Sequence, residues 1–401
     1  MVDEVTEGSP EGEVTEVSNE GWFSRIAGAL WSILIGIVVV LISGVVLFWN
    51  EGRAVHTAAS LSEGASLVVS VAPGTINPAN DGKLVHVAGP TASAQDVTDA
   101  DFGFSVPGLA LRRTVEMYQW SEKSATETRK TVGGGEEKVT RYTYERDWAS
   151  VARGSGGFKE PQGHENPPFP TLSSTTVYGR GATLGAFALP ERVLSSLIAT
   201  QSPTLPASAG SRSAEYFGTR TTLTPGFIYA GASPGTPKVG DVRVTYASVP
   251  VAPISIVARQ TQSTFAPYVT RNGREILLVA AGEQDAASMF KGEQDANQIF
   301  TWILRVVGMI AMVIGFRMML NLLSVLGDLI PIVGDIIGAG AWLVALTFTV
   351  VLAPLIIAVA WLVFRPFIAF GVIALAIAIL FGIRQVTRRN KVSPEVSLGT
   401  S

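Results

Sequence analysis

The chain has 401 residues, of which 47% are hydrophobic, and 30 Lys and Arg stand against 33 Asp and Glu for a formal net charge of -3. It contains no cysteine, which excludes disulfides, thiolate metal ligands and thiol nucleophiles. Near-balanced charge with scattered basic residues leaves no electrostatic footprint for nucleic acid.

Residues 1–20, MVDEVTEGSPEGEVTEVSNE, are acidic and small, so the segment 1–25 is expected to be a disordered cytoplasmic tail. An apolar run follows, and 26–49 is predicted as the first transmembrane helix. It is too long for a signal-peptide core and lies behind an acidic rather than a basic start, which makes it a permanent anchor. Gly28, Ser32 and Gly36 recur every four residues and give one face of this helix a close-packing ladder, its partner a later span or a second copy.

The segment 50–297 is rich in Thr, Ser, Val, Gly and Pro, with periodicities mostly of two, and predicts a β-rich extramembrane domain. LALRRTVEMYQW and KVTRYTYERDW read as a long hairpin around TVGGGEEK, with Tyr142, Tyr144 and Trp148 on one face. Other expected strands are 66–71, 83–89, 174–179, 241–249, 253–262 and 274–281. One helix is expected at 190–199, with Pro190 at its start and Val193, Leu194, Leu197 and Ile198 on one side. The pentapeptide Gly-Glu-Gln-Asp-Ala occurs at 282 and again at 292, and marks a polar helical or looped stalk before the membrane.

From Ile299 to Ile383 the composition is that of lipid-facing helix. The predicted spans are 298–316, 338–364 and 367–383, with Arg365 and Pro366 forming a short hairpin between the last two. Within the block, apart from that hairpin, only Arg305, Arg317, Asp328 and Asp335 are ionisable. Arg305 is expected either to reach the outer face or to pair within the bundle. At 100° per residue, Arg317, Asn321, Ser324, Asp328 and Asp335 fall near one line, so 317–337 reads as an amphipathic helix broken near Pro331. Three placements fit it: interfacial or re-entrant, lining a wet cavity, or a further span. Arg384, Arg388, Arg389 and Lys391 in the tail 384–401 place the C-terminus in the cytoplasm, and four spans return the N-terminus to the same side. The fold class is thus a multi-pass α-helical membrane protein: one N-terminal span, a C-terminal cluster of about three spans plus an amphipathic or re-entrant helix, and a large β-rich extramembrane domain.

The run Asn50, Glu51, Gly52, Arg53, Ala54, Val55, with Thr57, Ser60, Leu61, Glu63 and Gly64, resembles the segment after the first span in the LUMA, or transmembrane protein 43, family. The resemblance continues through DGKLVHVAG, LRRTVEMYQW, His164 with Asn166-Pro167, VGDVRV, Thr301-Trp302, Leu304-Arg305, Gly308, LIPIVGD, Trp361-Leu362 and Phe364-Arg365-Pro366. It implies an N-terminal span, a large luminal or outer domain, C-terminal spans and a membrane-organising homo-oligomer. It also implies the endoplasmic reticulum or inner nuclear membrane in a eukaryote, where emerin and lamins are the family's partners, and a plasma-membrane homologue in a prokaryote. It carries over no catalytic residue.

The histidines, His56, His86 and His164, lack metal-ligand spacing, and Asp96, Asp99 and Asp101 read as solvated loop carboxylates. Arg112, Arg113 and Glu116 are expected to pair across a sheet. No catalytic residue, cofactor or metal ligand is assigned. The expected function is a non-enzymatic membrane scaffold whose partners are the bilayer, further copies of itself and other membrane proteins. The alternative is a channel or transporter subunit using the polar stripe.

Overall fold

The computed structural model describes residues 5–9, 13–218 and 221–390. Its strands, in chain order, are β1 (Val5–Ser9), β2 (Glu13–Glu20), β3 (Val69–Ser70), β4 (Leu84–Gly89), β5 (Thr91–Ala92), β6 (Val97–Asp99), β7 (Phe104–Val106), β8 (Ala110–Lys130), β9 (Glu136–Ala149), β10 (Thr175–Tyr178), β11 (Thr183–Leu184), β12 (Phe187–Ala188), β13 (Thr221–Thr224), β14 (Phe227–Ala230), β15 (Val242–Val249), β16 (Ile254–Thr261), β17 (Thr264–Ala266), β18 (Tyr268–Val269), β19 (Glu275–Ile276) and β20 (Leu278–Ala281). The α-helices are α1 (Trp22–Leu67), α2 (Glu191–Leu194), α3 (Ala207–Phe217), α4 (Ala286–Met319), α5 (Asn321–Gly327), α6 (Pro331–Phe364) and α7 (Pro366–Asn390). They fall into two compact units, one made chiefly of 60–131 and 135–294 with the N-terminal strands, the other of 22–59, 132–134 and 295 onward.

The first unit holds two large sheets. One runs β1-β2-β9-β8-β15-β14-β13, with β10 also on β8; the other runs β3-β4-β16-β17-β12-β11-β5, with β20 also on β16. Alternation explains the first: Val242, Val244 and Tyr246 of β15 and Leu111, Val115 and Met117 of β8 turn to the same core, packed by Phe102, Phe104 and Ile228. In the second, Val85, Val87, Ile254 and Ile256 are buried against Phe187, Val193 and Leu194. The expected hairpin exists, and it is longer than periodicity suggested: β8 runs to Lys130 and pairs with β9 from Met117↔Ala149 to Lys130↔Glu136.

Two expectations are revised. The helix expected at 190–199 is only α2, and Ile198 is 81% exposed, because Pro190 starts a turn whose hydrogen bonds stop at Leu197. The repeat takes both of the forms left open for it: Gly282 has φ of 78° in a loop, whereas the second copy lies inside α4. Between them Asp285 caps the start of that helix, its carboxylate accepting from the Ser288 backbone N–H at 2.8 Å and from the Ser288 hydroxyl at 3.0 Å. The acidic tail is not disordered over 13–20. Strand β2 pairs with β9 from Glu13↔Thr143 to Glu20↔Glu136, Val14 is buried, and Lys138 binds Glu20 at 2.6 Å. Acidic side chains on β2 meet basic ones on β9, which composition alone does not reveal.

The second unit is helical. Three described helices, Trp22–Leu67, Ala286–Met319 and Ile332–Phe364, are long and apolar enough to cross a membrane. At 1.5 Å per residue the 46-residue α1 is roughly 70 Å long, so it continues well past the predicted span 26–49. The predicted third span begins earlier than expected, because Pro331 occupies the first turn of α6, where its missing N–H costs nothing. The last predicted span lies in α7. Of the basic tail, 384–390 continue α7, and Lys391 and the residues after it fall outside the described residues.

Strands that share hydrogen bonds share one aqueous face, so β2 and 136–143 cannot lie on opposite sides of a bilayer, as tail and domain were expected to. In the cysteine-free chain, Val14→Cys with Tyr142→Cys is expected to form a disulfide in native membranes as readily as the ribbon pair Thr126→Cys with Thr140→Cys. Closure of the second pair alone, read on a non-reducing gel, would place the tail outside the sheet.

Candidate functional site, a buried polar lock between three helices

Three helices of the second unit meet around the Asn50-Glu51-Gly52-Arg53 segment of α1. On α4, Asn297, Thr301 and Arg305 recur every four residues and therefore share one face. Trp361 and Phe364 come from the last turn of α6.

Glu51 is fully buried, and its carboxylate takes a two-pronged ion pair from Arg305: Nε donates to Oε1 at 2.7 Å and Nη2 to Oε2 at 2.9 Å. The Trp361 indole donates to Oε2 at 2.9 Å. One carboxylate thus binds all three helices. Asn50, also fully buried, donates through Nδ2 to the Thr301 carbonyl at 3.0 Å. Arg53 donates to Asn297 Oδ1 at 2.9 Å and to the Thr301 hydroxyl at 2.9 Å, and its guanidinium lies 4.7 Å from the Phe300 ring centre. Asn297 returns a bond to the Ala54 carbonyl at 3.1 Å. Gly52 is required by packing: a Cβ there would come within 2.7 Å of the Phe364 ring.

Further along the bundle, small residues let backbones touch. A Cβ on Gly36 would meet the Gly315 carbonyl at 2.6 Å, and Ser32 donates to the Met318 carbonyl at 3.0 Å. The ladder's partner is therefore α4 of the same chain, and Gly28 faces open space.

A second buried pair lies at the start of α1. Arg25 donates to Asp328 Oδ2 at 2.5 Å and to the Gly134 carbonyl at 2.5 Å, and the Trp22 indole donates to the Val325 carbonyl at 3.0 Å. The expected polar stripe is accordingly not one helical face. Arg317 ends α4, Asn321 and Ser324 lie on α5, Asp328 closes α5, and Asp335 is exposed on α6. The break at Pro331 resets the helical phase on which a 100° projection depends. Ser324 reaches the Gly334 carbonyl at 3.3 Å, so the turn folds back on itself. At the expected hairpin, Arg365 caps α6 through its N–H to the Trp361 carbonyl at 2.8 Å, and Pro366 opens α7.

In the β-rich unit, the carboxylates expected to be solvated include one that is not. Asp99 is 3% exposed and takes Arg113 Nη1 at 2.8 Å and the Tyr246 hydroxyl at 2.9 Å, while Asp101 takes Arg113 Nη2 at 2.6 Å. Arg113 points inward with its odd-numbered neighbours, whereas Glu116 on the other face pairs with Arg243 at 2.8 Å across the sheet, as expected for Glu116. Asn166 replaces a missing strand: its side-chain amide accepts from the Trp120 N–H at 2.7 Å and donates to the Trp120 carbonyl at 3.0 Å. His164 beside it stacks on Tyr144 at 3.8 Å. Burial, then the Glu122 carboxylate, push the Tyr144 hydroxyl up to about 12, so it stays a donor to Glu122 through the physiological range.

This geometry defines a class: a polytopic helical membrane protein with a β-rich domain, its helices keyed by buried charge. The chain belongs to the transmembrane protein 43 family, whose profile matches residues 117–366. It is 32% identical to mouse transmembrane protein 43 over 372 residues, covering 88% of this chain and 90% of the relative. The human protein is 31% identical over 384 residues, 91% of this chain and 92% of the relative. The fruit fly homologue is 28% identical over 353 residues, 84% and 90%. No solved structure matches significantly.

Sequence reasoning had Asn50 to Arg53 only as a family motif and Arg305 only as a charge in need of a partner. An acid on one apolar helix and a base on another was the available signal for the pair. Glu51→Ala leaves Arg305 buried without its anion and is expected to cost about 3–5 kcal/mol, whereas Glu51→Leu with Arg305→Met is expected to recover most of the loss. Thermal unfolding in detergent measures both, and an unchanged Glu51→Ala protein would show that the lock contributes nothing.

Proposed function

We propose that the protein is a non-enzymatic integral membrane scaffold that oligomerises and presents its β-rich domain on the non-cytoplasmic side. The observation that carries this reading is the lock itself. Its carboxylate is consumed by Arg305 and Trp361 on two other helices, an arrangement that holds a platform rigid and leaves no reactive group poised for substrate. The outer faces of α1 and α6 support lipid as the surrounding solvent, with Leu34, Leu41, Val45, Leu343, Val350 and Val351 all more than half exposed. The basic residues at the C-terminal exit support a cytoplasmic C-terminus, and the three crossings expected after the sheets would put their body across the bilayer. Strand β2, hydrogen-bonded into the same sheet, weighs either against that side for the sheet or against a cytoplasmic N-terminus.

The channel reading has less support: Asp328, central to its polar lining, is fully buried against Arg25. Chemical crosslinking in native membranes is expected to trap homo-oligomers, and a strictly monomeric protein would count against the scaffold. A single Ile198→Cys is expected to react with an impermeant maleimide from the non-cytoplasmic face, and reaction only after permeabilisation would reverse the orientation. Reconstituted bilayers carrying a current that Asp335→Ala alters would favour the channel.

A further inference from the structure

The β8–β9 ribbon has one edge that the rest of its sheet does not cover. On β8, β15 pairs as far as Met117↔Val242. Past it, the Tyr118 N–H donates to the Asp241 carbonyl at 2.8 Å, the Gly240 N–H to the Tyr118 carbonyl at 2.9 Å, and Asn166 satisfies both groups of Trp120. These contacts establish that even-numbered residues of β8 aim their backbone groups outward on this side. From Glu122 to Thr128, no strand pairs with that edge among the described residues. The row comprises the N–H and C=O of Glu122, Ser124, Thr126 and Thr128, and such a row is a template for another strand.

We infer that a second copy of this chain docks along Glu122–Thr128, the two β8 strands running antiparallel about a two-fold axis at Ala125. This deepens the oligomeric scaffold reading and rests on it. The even-outward pattern allows only registers that pair even residues with even ones. With Ala125 on the axis, Lys123 of each copy faces Glu127 of the other, Ser124 faces Thr126, and Glu122 faces Thr128. The smallest side chain of the segment sits where the two copies come closest. Moving the axis to Thr126 sets Lys123 against Arg129, and moving it to Ser124 sets Lys123 against Ala125, so the Ala125 register alone is complementary throughout. Lys123 and Glu127 are accessible, their side chains being 64% and 73% exposed, and the contact between copies would share them with their exposed partners in the same chain, Glu145 and Arg129. A closed two-fold pairing also removes the hazard of an open edge, since the same strand serves both copies and no further edge is exposed there.

Ala125→Cys provides the test, as the only thiol in the full-length protein. In native membranes under mild oxidation it is expected to give a disulfide-linked dimer at least several-fold more abundant than Val151→Cys, an exposed position away from the edge. Adding either Lys123→Glu or Glu127→Lys is expected to lower that dimer several-fold, and combining the two is expected to restore it. Parity of Ala125→Cys with the Val151→Cys control, or indifference to both charge reversals, would overturn the edge interface. If chemical crosslinking still traps oligomers in that case, the scaffold reading survives and only this interface falls. Monomers in both experiments remove both.

Discussion

A carboxylate buried between the helices of a membrane bundle must be answered by the protein, because the apolar packing around it offers neither hydrogen bonds nor counter-charge. Glu51 is answered from two directions, by Arg305 on α4 and by Trp361 on α6. That requirement fixes the rotation of three helices about their axes and their relative depth, which apolar packing alone would leave loosely determined. The glycines follow from it. Once Glu51 draws α6 in, the backbone at Gly52 lies against the Phe364 ring, and the approach of α1 to α4 is finished by Gly36 and Gly315.

The β-rich unit meets a similar constraint in a different solvent. Arg113 is placed inward by the strict alternation of β8, in a row with Leu111, Val115 and Met117, and so must be neutralised where it lies. Asp99 and Asp101 supply the charge, and Tyr246 supplies a hydroxyl to Asp99 from the neighbouring strand. Where β15 ends, Asn166 offers an amide shaped like a peptide group and carries the sheet's hydrogen bonding one step further along the ribbon. Several blocks that carry the family resemblance thus occupy joints: Asn50 to Arg53 with Arg305 and Trp361 in the bundle, Asn166 beside the ribbon, and Asp241, which accepts from the Tyr229 hydroxyl at 2.5 Å.

Periodicity served well wherever one face of an element is uniformly wet or dry. The alternation in 110–120 and 138–148 identified the ribbon, and the apolar runs identified the membrane helices. It failed where pairing between distant residues decides the outcome. Glu13–Glu20 has the composition of a solvated tail, and only the residues of β9 and of the loop after it make it a strand: Tyr142 of β9 donates to Glu16 at 3.0 Å and Lys159 of the loop reaches Glu16 at 3.1 Å. The polar stripe failed for a geometric reason, since a projection at constant angle presumes an unbroken helix and Pro331 ends that continuity.

Composition and hydropathy by themselves determined that this chain has lipid-compatible helices at both ends and a β-rich middle, because the length of an apolar run and a period of two are local properties. The presence of an acid in α1 and a base in α4 was equally plain to read. Which carboxylate meets which guanidinium, that the small-residue ladder is used within one chain, and that the acidic N-terminus completes a sheet were decided only in three dimensions. Each depends on residues more than a hundred positions apart, and no local pattern encodes the distance between them.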